Sequence, residues 1–121
     1  PSDQRKRIEV LEWLMWQMGG LGPMQGQAHH FRRAAKEQIP YGIKRYTDET
    51  NRLYGVLNRR LAGRNYIVDD LSIADIACIG WISRWEWIGV DWAQYPNLKA
   101  WYDRMMARPA VAKGMDIQAI K

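Results

Sequence analysis

The spacing of apolar residues is the feature that most restricts the fold of this chain. Near the start, one apolar face comprises Ile8, Leu11, Leu14 or Met15, and Met18, and a second comprises Val10, Trp13 and Trp16. Intervals of three and four residues are typical of an α-helix, in which such positions lie on one side. The pattern therefore predicts a first helix that is buried on two sides.

The same spacing returns after residue 40. Pro40 is suited to the first turn of a helix, where its missing N–H costs nothing, and Gly63 is a natural C-terminal stop. Between them one apolar stripe is formed by Ile43, Tyr46, Thr50, Leu53, Leu57 and Leu61. We expect a long amphipathic helix here.

A third helix is predicted at "DLSIADIACIGW". Ser72 is suited to the N-cap, and Asp75, three residues later, can accept from the Ser72 backbone as in a capping box. This spacing assigns structural roles to both residues and gives no support to a Ser/Asp catalytic pair. Gly80, inside the helix, is expected to allow a neighbouring helix to approach closely.

The rest of the chain continues this pattern. Pro96 opens a helix with Leu98, Trp101 and Met105 on its inward face, and Pro109 ends it and begins a short last helix. The segment 65–70, "NYIVDD", is the nearest strand candidate and is too short to build a sheet. We therefore predict a single all-α domain over residues 1–121, a bundle of five or six helices.

The stretch "WLMWQMGGLGPMQGQAHHF" interrupts the first helical pattern with residues that weaken a helix. Gly19, Gly20, Gly22 and Gly26 lack side chains, and Pro23 removes a hydrogen bond and clashes with the preceding turn. Two interpretations stay open at this point. One is a kink or break within a helix, and the other is a loop between two ordinary helices.

Charge and cysteine content restrict the class of protein. The net charge of +5 comes from basic residues scattered among acids, which favours a solvated surface over a nucleic-acid binder and is equally suited to an anionic small ligand. The single cysteine, Cys78, predicts a small buried residue without nucleophilic function, and a cytoplasmic location is the default. No membrane span or signal peptide is expected, because no window approaches about 18 apolar residues.

The histidines and tryptophans lead to further expectations. His29 and His30 point about 100° apart on a helix and lack metal-ligand spacing, so we expect no metal site, one histidine in the core and one at a cleft. Core positions are expected for tryptophans including Trp13, Trp16 and Trp81. Of Trp85 and Trp87, one is expected at a substrate pocket or at a dimer interface.

Four segments together resemble a known family. "WLMWQMGGLGPMQGQAHHF", "IPYGIKRYTDETNRLYGVLNRRL", "LSIADIACIGW" and "YPNLKAWYDRMMARPA" are similar to the C-terminal helical domain of bacterial glutathione transferases. Within that family they resemble the subgroup similar to the yeast prion protein Ure2, the nu class, known for disulfide-bond reductase activity. Complete members begin with a thioredoxin-like domain that activates the sulfur of glutathione, and that domain is expected to be absent from this chain.

The resemblance implies a function and a set of site residues. It implies a cytoplasmic homodimeric enzyme, a glutathione-dependent transferase or disulfide reductase, whose ligand lies in the cleft between the two domains. The middle of the first helix then forms one wall, which assigns Met24, Gln27 and His30 to substrate binding. No catalytic residue is expected in this chain, so we expect it to be inactive by itself.

Arg45 receives different assignments from spacing and from resemblance. Periodicity alone places Arg45 away from the apolar stripe, on a solvent-facing side. The resemblance assigns the matching arginine of "IPYGIKRY" to glutathione or glutathione disulfide, together with a small electrophile or disulfide as co-substrate. The alternative function is a non-catalytic interaction module, a role that domains of this type have in translation factors and aminoacyl-tRNA synthetases.

Overall fold

The computed structural model describes residues 1–116, and these residues form an all-α domain. The α-helices are α1 (Gln4–Trp16), α2 (Gly22–His29), α3 (Pro40–Arg60), α4 (Ile73–Ile82), α5 (Pro96–Met106) and α6 (Pro109–Met115). Two short π-helical segments, Gln17–Leu21 and His30–Ala34, follow α1 and α2. Over residues 1–116 no strand forms, and "NYIVDD" contains only an isolated bridge between Val68 and Asp70. The predicted fold class is confirmed.

The glycine-rich stretch does not break the first helix. Gln17, Gly22 and His30, at the junctions of the four segments, all have right-handed helical backbone angles. The Gly22 N–H donates to the Gln17 carbonyl, five residues back, so the hydrogen-bond pattern widens to a π-turn just before Pro23. The interpretation as a loop between two helices is wrong, because the π-turn accommodates the weak segment within a continuous helical backbone.

Two of the glycines make room for a tryptophan of α4. A Cβ atom on Gly22 would lie 3.0 Å from Trp81 Nε1 and 2.9 Å from Gln17 Nε2. A Cβ on Gly26 would lie 3.6 Å from Cη2 of the same indole. The indole of Trp81 therefore packs directly on the backbone of α2, which explains why side chains are missing from this face.

Helix α1 is buried on one side only. Val10 is 3% exposed, and Trp13 and Trp16 are half-buried against the core. The other predicted face is exposed, with Ile8 at 51% and Met18 at 60%. The prediction of burial on two sides is wrong, since nothing among residues 1–116 covers that face. Together with two isoleucines of α4 it forms the surface here named the α1–α4 face, made of Ile8, Leu11, Met15, Met18, Ile73 and Ile76.

Helix α3 follows its sequence pattern. It begins at Pro40, and the later part of its predicted stripe, Thr50, Leu53, Leu57 and Leu61, is buried. Gly63 has a φ of +69°, a left-handed conformation that glycine adopts without strain, just after the helix ends.

The capping box at the start of α4 is confirmed, and Asp75 does more than cap. Its Oδ2 accepts from the Ser72 N–H at 3.0 Å, while the Ser72 hydroxyl accepts from the Ala74 N–H at 3.2 Å. Its Oδ1 accepts from the Ile67 N–H at 3.0 Å and from Trp101 Nε1 at 2.8 Å. The fully buried carboxylate therefore joins α4, α5 and the loop between α3 and α4.

Two expectations about packing need correction. Gly80 is exposed, and a Cβ there would meet nothing within 4 Å, so it does not mediate close helix packing. Trp81, like Trp13 and Trp16, is half-buried rather than in the core. The fully buried tryptophan is Trp101 on α5, because its position facing α4 is enclosed on all sides.

We predict that Asp75→Ala destabilises the chain far more than Ser72→Ala. Loss of the Ser72 hydroxyl removes one cap and should cost about 1 kcal/mol. Loss of the Asp75 carboxylate leaves three N–H donors without an acceptor, two of them buried and one partly buried, and should cost about 3 kcal/mol or more. Urea denaturation monitored by circular dichroism tests this, and equal losses for the two variants would contradict a central role for Asp75.

We also predict opposite effects for two alanine substitutions in the first helix. Gly22→Ala should lower the free energy of unfolding by about 1 to 3 kcal/mol, because the new methyl group displaces the Trp81 indole. Gly19 is the matched control, since a Cβ there meets nothing within 4 Å. Gly19→Ala should raise stability by up to about 1 kcal/mol through helix propensity. Thermal or chemical unfolding that gave both variants the same sign would contradict this packing.

Candidate functional site

A cavity of about 900 Å³ lies between α2 and the first half of α3. It combines apolar and charged side chains and lies along one side of α3 with a single contribution from α2. Its lining residues are Met24, Pro40, Tyr41, Lys44, Arg45, Tyr46, Asp48, Glu49 and Arg52. A cavity of this size is large enough for a small ligand.

The wall of the cavity is positioned by one phenylalanine. Phe31, in the π-helical segment after α2, stacks on Tyr46 with ring centroids 5.4 Å apart and an interplanar angle of 11°. Gly42 on α3 is buried against the same ring, and a Cβ there would lie 2.8 Å from Phe31. The continuous helix over residues 4–34, from α1 to the second π-helical segment, is here named the long helix. The first turns of α3 are therefore held close to the C-terminal end of the long helix, which places the Arg45 region beside α2.

Two of the three cations that line the cavity are paired with carboxylates. The Lys44 ammonium contacts the Asp48 carboxylate at 2.5 Å, one helical turn away. Arg52 donates to both Glu49 oxygens at 2.8 Å. Hydrogen bonding by Arg52, more than its charge, lowers the pKa of Glu49.

Arg45 is left as the cation without a carboxylate partner. Among the described residues, no salt bridge and no side-chain hydrogen bond involves its guanidinium, which is exposed at the cavity. Both acids of the lining are already held by Lys44 and Arg52. The net positive charge of the cavity therefore resides on Arg45, and an anion is the complementary ligand.

The structure brings some of the predicted substrate-binding residues together and separates others. Met24 and Arg45 line the same cavity. Gln27 lies in a different depression of about 460 Å³, beside Trp81. His30 is exposed and makes an edge contact with Phe31, with ring centroids 5.2 Å apart. No ligand contact is established for any of the four, so their roles stay predictions.

Sequence reasoning did not assign the other seven lining residues to the site: Pro40, Tyr41, Lys44, Tyr46, Asp48, Glu49 and Arg52. A signal for the pairing was available, because Lys44 and Asp48 are four residues apart and Glu49 and Arg52 are three apart. Applied to "IKRYTDETNR", the same rule also pairs Arg45 with Glu49, four residues later, and only the structure shows that Glu49 is bound by Arg52 instead. The exposure of Tyr41, 73%, has no comparable sequence signal.

The buried side chain of Gln25 fixes the position of α2 relative to α3 and α4. Gln25 is fully buried, and its Nε2 donates to the Trp81 carbonyl at 2.7 Å. Its Oε1 accepts from the Tyr54 hydroxyl at 3.3 Å. Because one amide thus joins α2, α3 and α4, the angle at which α2 enters the cavity wall is specified by hydrogen bonds as well as by packing.

His29 lies next to this network and is not part of the core. It is half-buried, stacks on Trp81 with centroids 6.3 Å apart, and makes an edge contact with Trp87 at 5.1 Å. Burial lowers the pKa of His29 from its ordinary value of 6.5, and the charges of Arg84 and, less strongly, Arg33 add to the lowering. A hydrogen bond with the Arg84 backbone acts in the opposite direction. The expectation of one core histidine is therefore wrong, since the aromatic neighbours cover only part of the ring.

Cys78 has the environment predicted for it. It is fully buried, and burial, followed by the nearby Asp75 carboxylate, raises the pKa of its thiol. A buried thiol that resists ionisation is a poor nucleophile. Over residues 1–116, no group of three or more His, Cys, Asp or Glu side chains could hold a metal ion, and no helix there could span a bilayer.

Comparison with known proteins establishes the family. The family model described as "Glutathione S-transferase, C-terminal domain" matches residues 31–109, well over half of the chain. The chain belongs to this family. The matched region contains α3, the capping box and α5, so the resemblance inferred from the four sequence segments is confirmed.

Individual relatives confirm the subgroup. The Disulfide-bond oxidoreductase YfcG of Escherichia coli K12 is 48% identical over 114 residues, covering 93% of this chain and 53% of that protein. The Transcriptional regulator URE2 of Saccharomyces cerevisiae is 30% identical over 148 residues, covering 94% of this chain and 42% of that protein. The chain thus spans about half the length of the curated relatives it matches.

A solved structure agrees with the fold. The glutathione transferase homolog from Lodderomyces elongisporus, which holds two GSH per subunit, superposes with a TM-score of 0.91 at 41% identity. The match covers 97% of this chain and 56% of that one. The helical domain described here therefore has the backbone of a family member that binds glutathione.

The pKa of His29 leads to a prediction about pH. Because the folded pKa lies below 6.5, protonation is less favourable in the folded state. The contribution of His29 to stability is therefore complete above pH 6.5 and is lost as the pH falls towards the folded pKa. A ¹H–¹³C NMR titration should give a His29 midpoint below 6.5 that rises in Arg84→Ala and does not move in Arg59→Ala. An unchanged midpoint in Arg84→Ala would contradict the electrostatic contribution.

Proposed function

We propose that this chain is the helical domain of a glutathione-dependent disulfide reductase or transferase, over residues 1–121, and that it forms one wall of the glutathione site. The observation that carries the proposal is the unpaired Arg45 at a cavity of about 900 Å³. The names of the relatives, a disulfide-bond oxidoreductase and a homolog with bound GSH, favour an enzyme over a non-catalytic interaction module.

The cavity is suited to binding and orienting a ligand. Glutathione carries two carboxylates, and a guanidinium can hold one of them through two parallel hydrogen bonds. Met24 and Tyr46 offer apolar surface beside that charge. Gln27 and His30, on the same long helix but outside this cavity, would meet only a part of the ligand that extends beyond it.

The sulfur chemistry is proposed to depend on groups outside this chain. Bound glutathione supplies a thiol that exchanges with a substrate disulfide, and such exchange requires a thiolate. Cys78 is buried and un-ionised, so it is unsuited to that step. The role of this chain is then to hold the carboxylate end while the proposed thioredoxin-like domain activates sulfur.

We propose that the α1–α4 face docks on that thioredoxin-like domain. Its apolar side chains belong to two adjacent helices and include Leu11 at 44% and Ile76 at 58% exposure. Large exposed apolar surfaces mark interaction sites, and relatives of this chain are about twice its length. A second apolar surface, with Ile39 and Tyr41 beside the cavity, is proposed to face the other subunit of a cytoplasmic homodimer.

We predict that Arg45→Ala weakens binding of glutathione disulfide to the full-length enzyme by about 1.5 to 3 kcal/mol, the usual scale for a charge-assisted hydrogen bond. Arg45→Lys should recover part of this loss, because lysine keeps the charge and lacks the planar fork. Isothermal titration calorimetry measures both variants.

Arg59→Ala is the matched control for this titration. Arg59 is exposed on the same helix and lies outside the cavity. Equal, small losses for Arg45→Ala and Arg59→Ala would return Arg45 to the solvated surface and remove the proposed ligand contact.

For the docking face, we predict that the effect of Leu11→Asp depends on the presence of the other domain. In the 121-residue chain it should lower stability by less than about 1 kcal/mol, because the side chain is already half exposed. In the full-length protein the loss should be several times larger. Val10→Asp, at a position 3% exposed, should be severe in both. The same small loss for Leu11→Asp in both proteins would exclude docking through this face.

A further inference from the structure

Three arginines converge on one tryptophan at the end of the long helix. The guanidinium carbons of Arg33 and Arg84 lie 4.6 Å and 4.7 Å from the ring centroid of Trp87. Arg32 Nε donates to the Trp87 carbonyl at 3.2 Å. We name these four residues the Trp87 cluster. Two of its arginines come from the π-helical segment His30–Ala34, and Arg84 comes from the turn after α4.

The cluster has positive charge without matching negative charge. None of the salt bridges in the described part of the chain involves Arg32, Arg33 or Arg84, whereas six other cations of the chain, Lys6, Lys44, Arg52, Arg60, Arg64 and Lys99, are each paired with a carboxylate. Glu86, the sequence neighbour of Trp87, forms no such pair either. Like charges held together raise the energy of the free protein, and an indole face offsets only part of that cost.

The positive field of the cluster acts on a neighbouring group. His29 makes an edge contact with Trp87, with centroids 5.1 Å apart. Arg84 and Arg33 are both among the causes that lower the pKa of His29, after burial. The field at this position is therefore positive and is not neutralised by the rest of the described chain.

The hydrogen-bonding capacity of the arginines is largely unused. Within residues 1–116, the guanidinium groups of Arg33 and Arg84 make no hydrogen bond, and Arg32 uses only its Nε. Gly89, with φ of +73°, allows Arg32 to approach, since a Cβ there would lie 3.1 Å from Nη2. A guanidinium presents five N–H donors, so most of the donors of the cluster are available to a ligand.

We propose that the Trp87 cluster is a binding site for a phosphate group, separate from the cavity at Arg45. A carboxylate has two oxygens, which one guanidinium fork can hold, whereas a phosphate has enough oxygens to accept from two or three guanidinium groups at once. The cluster shares no lining residue with the Arg45 cavity. A phosphate there would supply the negative charge that none of the three arginines receives from a carboxylate of the described residues.

The test is titration of the ¹⁵N-labelled protein with pyrophosphate, with Trp87 as the reporter. We expect saturable shifts of the Trp87 indole N–H signal, at a constant ionic strength set with sodium chloride. Arg33→Ala and Arg84→Ala should each raise the Kd by tenfold or more, and Arg59→Ala should leave it unchanged. Arg33→Lys should keep part of the affinity.

Several outcomes would overturn the proposal. They are shifts that do not saturate, shifts that chloride alone reproduces, shifts centred on other residues of the unsubstituted protein, and equal losses for Arg33→Ala and Arg59→Ala. The mapping on the unsubstituted protein does not depend on whether a variant folds.

A second arm identifies the source of the phosphate. Sedimentation with phosphatidylcholine vesicles, with and without phosphatidic acid, separates a lipid headgroup from a soluble phosphate. Pyrophosphate binding without vesicle binding supports a small soluble ligand, and Arg84-dependent binding to both supports a headgroup. Absence of both kinds of binding would overturn the proposal.

Discussion

The buried carboxylate of Asp75 is the interaction on which the rest of this domain depends. A charged group with 0% exposure and no cation beside it is stable only if hydrogen-bond donors replace water. Asp75 receives such donors from the Ser72 and Ile67 backbone and from the Trp101 indole. Removing any one element would leave the charge under-solvated. The start of α4, the loop before it and the middle of α5 are therefore linked in one cooperative unit.

Helix α4 connects that unit to the cavity, because its C-terminal part fixes the positions of α2 and α3. The C-terminal part of α4 presents Trp81, whose ring occupies the space left by Gly22 and Gly26 and whose carbonyl accepts from Gln25. Gln25 in turn accepts from Tyr54 on α3. These contacts set the long helix against both α3 and α4. Phe31 then places the first turns of α3, and with them Arg45, beside α2.

The unpaired cations of the domain lie at its surface, and its single thiol lies in the core. Arg45 and the Trp87 cluster carry unpaired positive charge on separate surfaces, whereas Cys78 is enclosed. Such a distribution is suited to binding anions and unsuited to nucleophilic catalysis. It is consistent with the proposed division of labour, in which this chain orients a ligand and the proposed thioredoxin-like domain reacts with it.

Local chemistry was predictable from the sequence because its determinants are close together in the chain. The capping box needs only Ser72 and Asp75, and the helix starts at Pro40, Pro96 and Pro109 need only a missing N–H. The later part of the α3 stripe, from Thr50 to Leu61, and the inward face of α5 were confirmed for the same reason, since helical periodicity alone specifies which residues share a face.

Tertiary structure decided which helix faces are buried, which side chains pack against the glycines and which charges are paired. A periodic pattern identifies an apolar face but not whether it is covered, so the face of α1 with Ile8 and Met18 was predicted to be buried and is exposed. Glycines that weaken a helix are ambiguous until their neighbour is known, and here the Trp81 indole explains Gly22. Spacing along α3 also does not specify whether Glu49 pairs with Arg45 or with Arg52. The convergence of three arginines on Trp87 depends on side chains far apart in sequence. Such contacts have no local signature, because burial and charge pairing are properties of the assembled surface.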